Sequence, residues 1–348
     1  MSLTKTIVLR KVILSKSTIN KTVIKSIYVA VFLFSCSAIG NDWQALYKRP
    51  TSIPFPSNNL YSTEKAALGK MLFFDPRLSQ NFNMTCATCH NPSFGWEDAT
   101  KTSIGSQNTS LPRHSPTIIN MAWGKSFFWD GRAKTLEAQA QGPIESEVEM
   151  NISLDTVVKR LSKVPQYTKW FKRAFGSSGI SGDNIRKAIA TYERTLVSGI
   201  APFDLWIEGD ESAISNSAKR GFALFNGKAS CATCHQGWNF TDNQFHDVGL
   251  LGDDLGLGAL TKKAKDSFSF KTPGLRNIGQ RAPYMHDGRF ESLTMVIAHY
   301  AGGIVDRDSR SSKLKTITLT AEEINDLEAF MLTLTGEDTP VTLPLLPY

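Results

Sequence analysis

The chain has 348 residues, of which 41% are hydrophobic and 20% charged, which is enough apolar material for two cores of roughly 150 residues and too much for a disordered polymer. Its 39 Lys and Arg exceed 32 Asp and Glu, giving a formal charge of +7, but setting aside the six basic residues before Ser26 takes the basic count to 33. A nearly neutral body excludes a nucleic-acid or acidic-membrane partner held by bulk charge.

The N-terminus carries Lys5, Arg10, Lys11, Lys16, Lys21 and Lys25 without an acid, followed by an apolar run from Ser26 to Ala38 that ends in small residues. This pattern predicts a secretory signal peptide over residues 1–38. The run is shorter than the roughly 20 residues of a bilayer span, so the expectation is export to the periplasm with no transmembrane segment in the mature chain. Leu33-Phe34-Ser35-Cys36 also approximates a lipoprotein box with an ill-fitting Phe34, which leaves lipid anchoring at Cys36 as a minor alternative.

Glu64 to Phe73 then reads as a short amphipathic helix leading to Cys86-Ala87-Thr88-Cys89-His90. Leu154 to Phe175 and Asp183 to Ser198 place apolar residues at helical spacing, with Pro165 interrupting the first and Asp183 positioned to cap the second. Ser217 to Phe225 is another amphipathic segment with the Gly-x-x-Leu-Phe ending of the first, and Cys231-Ala232-Thr233-Cys234-His235 repeats the earlier pentapeptide letter for letter. Thr320-Ala321-Glu322-Glu323 forms a capping-box pattern before Ile324, Leu327, Phe330, Met331 and Leu334, with Gly336 as a stop. Strand-like alternation is scarce. The expected fold is mostly α, with two cytochrome c-like haem domains and long loops, an N-terminal domain over 39–205 and a C-terminal one over 206–348.

Apart from Cys36, the cysteines all lie in the two repeats, so none remains for a structural disulfide. Two thiols one short turn apart add across the vinyl groups of one haem, and the adjoining imidazole becomes the proximal iron ligand. A lone Cys-x-x-Cys also fits a redox disulfide or half a zinc site, but two copies each followed by His weigh against both. The motifs therefore imply two covalently bound haem c groups, held through Cys86, Cys89 and His90 and through Cys231, Cys234 and His235.

Beyond these motifs, Leu68 to Ser79, Phe128-Trp129-Asp130-Gly131-Arg132-Ala133, Glu137 to Pro143, Val148-Glu149-Met150 and Ala282 to Gly288 run across nearly the whole mature chain. With them the chain resembles the bacterial di-haem cytochrome c peroxidase family, which includes the MauG-type enzymes. The resemblance implies a peroxidatic N-terminal haem that takes hydrogen peroxide and a C-terminal haem that stores or relays an electron. It places the catalytic glutamate at Glu149 and its distal-pocket neighbours at Gln139 and Pro143; a carboxyl there moves a proton from the near to the far peroxide oxygen. Read without the resemblance, Glu149 beside Glu145 and Glu147 is a solvated charge, and Trp129 a core aromatic. With it, Trp129 matches the tryptophan between the two haems.

Departures from the family pattern point to the subtype. Where classical peroxidases close the first haem with a loop histidine this chain has Ser106, a poor iron ligand, so the first iron is expected to be five-coordinate or to hold water; His114 is the competing ligand. Where they place a methionine on the second haem this chain has Tyr300, as MauG-type enzymes do, and its harder, anionic oxygen favours the more oxidised iron. His299, Met295 and Met285 compete with Tyr300. The family's interdomain calcium falls on His114 and Arg281, with only the carbonyl of Pro283 retained, and since arginine does not ligate calcium its presence is doubtful. The reading favoured is a periplasmic, peroxide-dependent MauG-like oxidase of a Trp or Tyr on a partner protein, related to the methanobactin-associated members of that group. The alternatives are a peroxidase fed by a small cytochrome c or cupredoxin, and a non-catalytic electron-transfer cytochrome.

Overall fold

The computed structural model describes residues 42–348, of which 46–348 form one compact unit. The expected leader and Cys36 lie outside the described residues. Within the unit the principal helices are α1 (Thr63–Phe73), α2 (Leu136–Glu145), α3 (Leu154–Ser162), α4 (Pro165–Phe175), α5 (Gly182–Arg194), α6 (Pro202–Ile207), α7 (Asn216–Asn226), α8 (Leu293–Ala298) and α9 (Ala321–Leu332), joined by long loops, short 3-10 turns and the brief helices Cys86–Cys89 and Leu257–Thr261. Sheet structure among the described residues is confined to β1 (Phe245–His246) and β2 (Phe270–Lys271), paired antiparallel. No described helix is long and apolar enough to cross a membrane.

Local chemistry sets most helix boundaries. Ser62 and Ser215 accept from Lys65 N–H and Ala218 N–H at the starts of α1 and α7. At α9 the capping box forms as expected: Thr320 Oγ1 accepts from Glu323 N–H at 3.2 Å, and Glu323 Oε2 accepts from Thr320 N–H at 2.8 Å. Pro165 opens α4 and separates it from α3. One expectation is corrected: Ser181, not Asp183, caps α5, its side chain accepting from Asn184 N–H. A cap residue needs extended backbone outside the helix, which Ser181 has at φ −148°, whereas Asp183 already lies in the first turn and pairs with Lys187 at 2.8 Å. The helix also stops at Arg194, short of Ser198.

The sequence repeat is a packing repeat. In the first half α1 lies on α5, and in the second α7 lies on α9. The shared glycine of Gly-x-x-Leu-Phe marks both crossings: a Cβ at Gly69 would stand 1.9 Å from the Ala188 carbonyl oxygen, and one at Gly221 would stand 1.9 Å from that of Asp326. Leu72 and Phe73 are thereby pressed into a core with Val157, Phe171 and Ile185. In the second half the core is aromatic, with Phe225 and Phe330 ring centroids 5.0 Å apart and Phe203 and Phe222 5.6 Å apart. The division expected after residue 205 falls inside α6, whose Phe203 and Trp206 both pack on Phe222.

Replacing Gly221 with Ala forces the α7–α9 crossing apart, at a cost of about 1–3 kcal/mol. Gly182→Ala, where a Cβ makes an ordinary 3.4 Å contact with Leu154, is the matched control. Thermal unfolding of the haem-loaded proteins should show a lower midpoint for Gly221→Ala only; equal midpoints for the two variants would contradict the close-approach role.

Candidate di-haem site

The two identical pentapeptides form short turns of different kind, Cys86–Cys89 a single α-helical turn and Cys231–Thr233 a 3-10 turn. In both, the histidine N–H closes back on the first cysteine: His90 N to Cys86 O is 3.0 Å and His235 N to Cys231 O is 2.9 Å. The imidazoles are then oriented by backbone. His90 Nδ1 donates to Trp96 O at 3.2 Å, and His235 Nδ1 donates to Phe240 O at 2.9 Å. Each bond places the proton on Nδ1 and leaves the Nε2 lone pair as the ligating one. Burial pushes both imidazoles below their ordinary value, which keeps them neutral. Burial also pushes the Cys89 thiol up to about 11 and that of Cys231 to about 12, an environment that disfavours thiolate and suits a neutral thioether.

One cavity of about 860 Å³ is lined by both motifs and by Glu149, Gln139, Pro143, Trp129 and Tyr300, so the structure brings these expected residues together. Its chemistry fits haem. Lys271 lies on the wall, where desolvation and then Arg281 push its ammonium down to about 8, and its Nζ has no bonding partner among the described residues. An unmatched cation there suits the propionate carboxylates that a haem carries.

Gln139 and Pro143 sit one turn apart on one face of α2, and the chain then folds back so that Met150 N–H donates to Pro143 O at 3.0 Å. Glu149 lies in that return. Burial raises its carboxyl above the ordinary range, opposed by the charge of Arg132. Its carbonyl accepts from Ser106 N–H at 2.9 Å, which ties the Ser106 loop to the glutamate; Ser106 Oγ itself is buried without a hydrogen-bond partner. His114 is engaged through both ring nitrogens, by Glu97 Oε2 at 3.0 Å and Thr100 O at 2.9 Å, so neither is free for iron. Trp129 is held from two sides: its indole N–H donates to His114 O at 2.8 Å, and its carbonyl accepts from Lys271 N–H at 2.8 Å.

Tyr300 follows α8 in a π-helical turn, His299–Gly303, and lines the cavity with His235. Burial, then the neighbouring Cys231 and Cys234, push its phenol far above its ordinary value. Among its competitors, His299 bonds Val248 O at 2.9 Å through Nε2 and Met295 is 44% exposed, whereas Met285 shares the cavity wall.

Sequence reasoning missed several wall residues. Lys271 and Glu193 carry no motif signal; burial pushes the Glu193 carboxyl up to about 8, and its Oε2 has no hydrogen-bond partner. The acceptors Trp96 and Phe240 act through carbonyls, which any residue supplies. Cys234, Asp242 and His246 offer metal-type ligand atoms within 4.8 Å of one another, but Cys234 belongs to the second attachment motif and His246 already bonds Asp242 at 2.8 Å.

Comparison with known proteins agrees with this geometry. Residues 63–212 match the model of the di-haem cytochrome c peroxidase family, and residues 218–335 match that of cytochrome c. The chain is 51% identical over 308 residues to the methylamine utilization protein MauG of Methylorubrum extorquens, spanning 87% of each chain. It is 34% identical to the cytochrome c551 peroxidase of Pseudomonas aeruginosa, spanning 90% of this chain and 91% of the relative. Among solved structures, a MauG-like protein associated with microbial copper homeostasis superposes with a TM-score of 0.77 at 32% identity, covering 84% of this chain and 95% of the other. Two haem-attachment motifs on one cavity, a half-buried glutamate on its wall and relatives of this closeness have one reading: the chain belongs to the di-haem cytochrome c peroxidase and MauG family and is a haem-dependent peroxidase-type oxidoreductase.

Proposed function

We propose that this is a periplasmic, MauG-like enzyme that uses hydrogen peroxide to oxidise a tryptophan or tyrosine on a partner protein, with electrons crossing the protein rather than the substrate entering the cavity. The observation that carries this is the double engagement of His114: with both of its nitrogens bonded, the first motif faces a cavity wall of Glu149, Gln139 and Pro143. When bound, the two haems supply the iron that takes peroxide and the capacity to hold its oxidising equivalents. His90 and His235 would hold them through Nε2, the four motif cysteines through thioethers, and Tyr300 would supply an oxygen ligand to the second. Its buried phenol ionises only against a strong cation, as an iron is.

Glu149 is the proton carrier. Its raised affinity for a proton suits a group that takes one from the near peroxide oxygen and returns it to the far one. Gln139, an amide one turn before Pro143, orients the peroxide, while Pro143 presents no N–H to that face. Trp129, bonded to the loop of His114 on one side and to Lys271 on the other, provides an oxidisable ring in the wall shared by both motifs. The balance is complete: peroxide accepts two electrons and two protons and leaves as two waters, and the partner's aromatic side chain gives up two electrons and, to solvent, two protons. The MauG relatives favour this reading over a peroxidase served by a small cytochrome c or cupredoxin. A non-catalytic electron-transfer role is disfavoured by the half-buried Glu149 on the cavity wall, its carboxyl raised by desolvation.

Two variants separate the roles. Glu149→Gln should slow peroxide consumption by about 10²–10⁴-fold with both haems still attached; Tyr300→Phe should change the optical spectrum of one haem and leave the other intact. Unaltered kinetics in the first would remove Glu149 as the proton carrier, and an unaltered spectrum in the second would remove the tyrosine ligand. For the function itself, exported proteins from the same cells are incubated with the enzyme, with and without peroxide, and their intact masses compared. A covalent mass change on a defined Trp or Tyr that requires both enzyme and peroxide is expected. Peroxide loss coupled only to oxidation of a small redox protein would establish the detoxifying peroxidase instead.

A further inference from the structure

Glu97, His114 and Arg281 form a charged cluster, each 5% exposed or less, that the proposed reaction does not use. Arg281 donates through its two terminal nitrogens to the carbonyl oxygens of Arg276 at 3.2 Å and Gly274 at 3.0 Å, and its Nε stands 3.5 Å from Glu97 Oε1. That same Oε1 accepts from Thr117 N–H at 3.0 Å. The other carboxylate oxygen accepts from His114 Nε2, and His114 Nδ1 faces the Thr100 carbonyl. With an acceptor before each ring nitrogen, His114 donates from both and carries a proton on each. Burial is the largest single influence and opposes that charge, but the bond to Glu97, its negative charge, the Thr100 carbonyl and the charge of Asp98 together hold the imidazole above its ordinary value. The arginine stem packs on Gly95, where a Cβ would stand 2.7 Å from Arg281 Cγ.

This set does not fit the calcium that the family resemblance leads one to expect. Calcium takes six to eight oxygen ligands at about 2.3–2.6 Å. Here the Glu97 carboxylate and the Gly274 and Arg276 carbonyls are occupied by N–H donors, and a guanidinium ligates no metal. We propose that Arg281 and His114 together replace a divalent cation, supplying its two positive charges from side chains and fastening the Trp129-bearing loop to the second half of the chain without metal. The fastening is direct: His114 N–H donates to His286 O at 2.8 Å, and the His114 carbonyl holds the Trp129 indole. Arg281 is thus a positioning residue, and this assignment stands whether or not Trp129 carries charge.

Haem-loaded wild-type protein is treated with a chelator, passed through a desalting column, assayed for bound metal and titrated with calcium alone in a calorimeter. No stoichiometric calcium, no binding heat and an unchanged melting midpoint are expected. Arg281→Gln removes the guanidinium and frees the Arg276 and Gly274 carbonyls as oxygen donors beside the Glu97 carboxylate; its midpoint should fall and should recover when calcium is added. The recovery is a signature that loss of packing alone does not produce. Stoichiometric calcium in the treated wild type, a chelator-induced fall in its midpoint, or an Arg281→Gln protein that is unaffected by calcium would overturn the proposal. If the variant does not accumulate, the wild-type metal content decides alone.

Discussion

Each motif histidine donates its Nδ1–H to a backbone carbonyl, His90 to Trp96 and His235 to Phe240, and this single bond decides which nitrogen is left for iron. Everything else in the site is arranged around it. The attachment turns hold the cysteines beside the ring, the loops to Trp96 and Phe240 return the acceptor, and the paired helices α1 with α5 and α7 with α9 give those loops a firm base. Burial of both imidazoles keeps them neutral, the form in which a ring nitrogen ligates.

On that symmetric base the two halves diverge. The first motif looks onto Glu149, whose backbone is tied to the Ser106 loop, while Tyr300 stands with the second motif. One half presents a carboxyl whose affinity for a proton is raised by burial and the other a buried phenol. Trp129 belongs to neither alone, since its indole is fixed to the His114 carbonyl and its own carbonyl to Lys271. Its position therefore rests on His114, which with Glu97 and Arg281 lines the same cavity as the attachment motifs.

What the sequence disclosed follows from how locally each feature is determined. The attachment motifs are legible because the chemistry demands fixed residues at fixed spacing, and the α9 capping box because both partners lie within one turn. Glu149, Gln139 and Pro143 were legible only through resemblance; composition alone reads a glutamate that follows Glu145 and Glu147 as a surface charge. The α5 cap was misplaced by two residues because Ser181 and Asp183 are both chemically able to cap, and only backbone geometry separates them. The duplicated glycine was visible as a repeat, but its purpose was not, since the carbonyls it admits belong to Ala188 and Asp326, far along the chain. Lys271 and Glu193 were invisible for the same reason: their charge states are set by what the fold brings around them.

The central claim is that the resting protein is already open to peroxide at its first haem and can share the oxidation with the second. It is tested most directly by mixing purified diferric protein with one equivalent of hydrogen peroxide, without reductant, and following optical and Mössbauer spectra. The account predicts immediate reaction and a persistent oxidised state whose Mössbauer signature involves both irons. A protein that is inert to peroxide until its second haem has been reduced would contradict it.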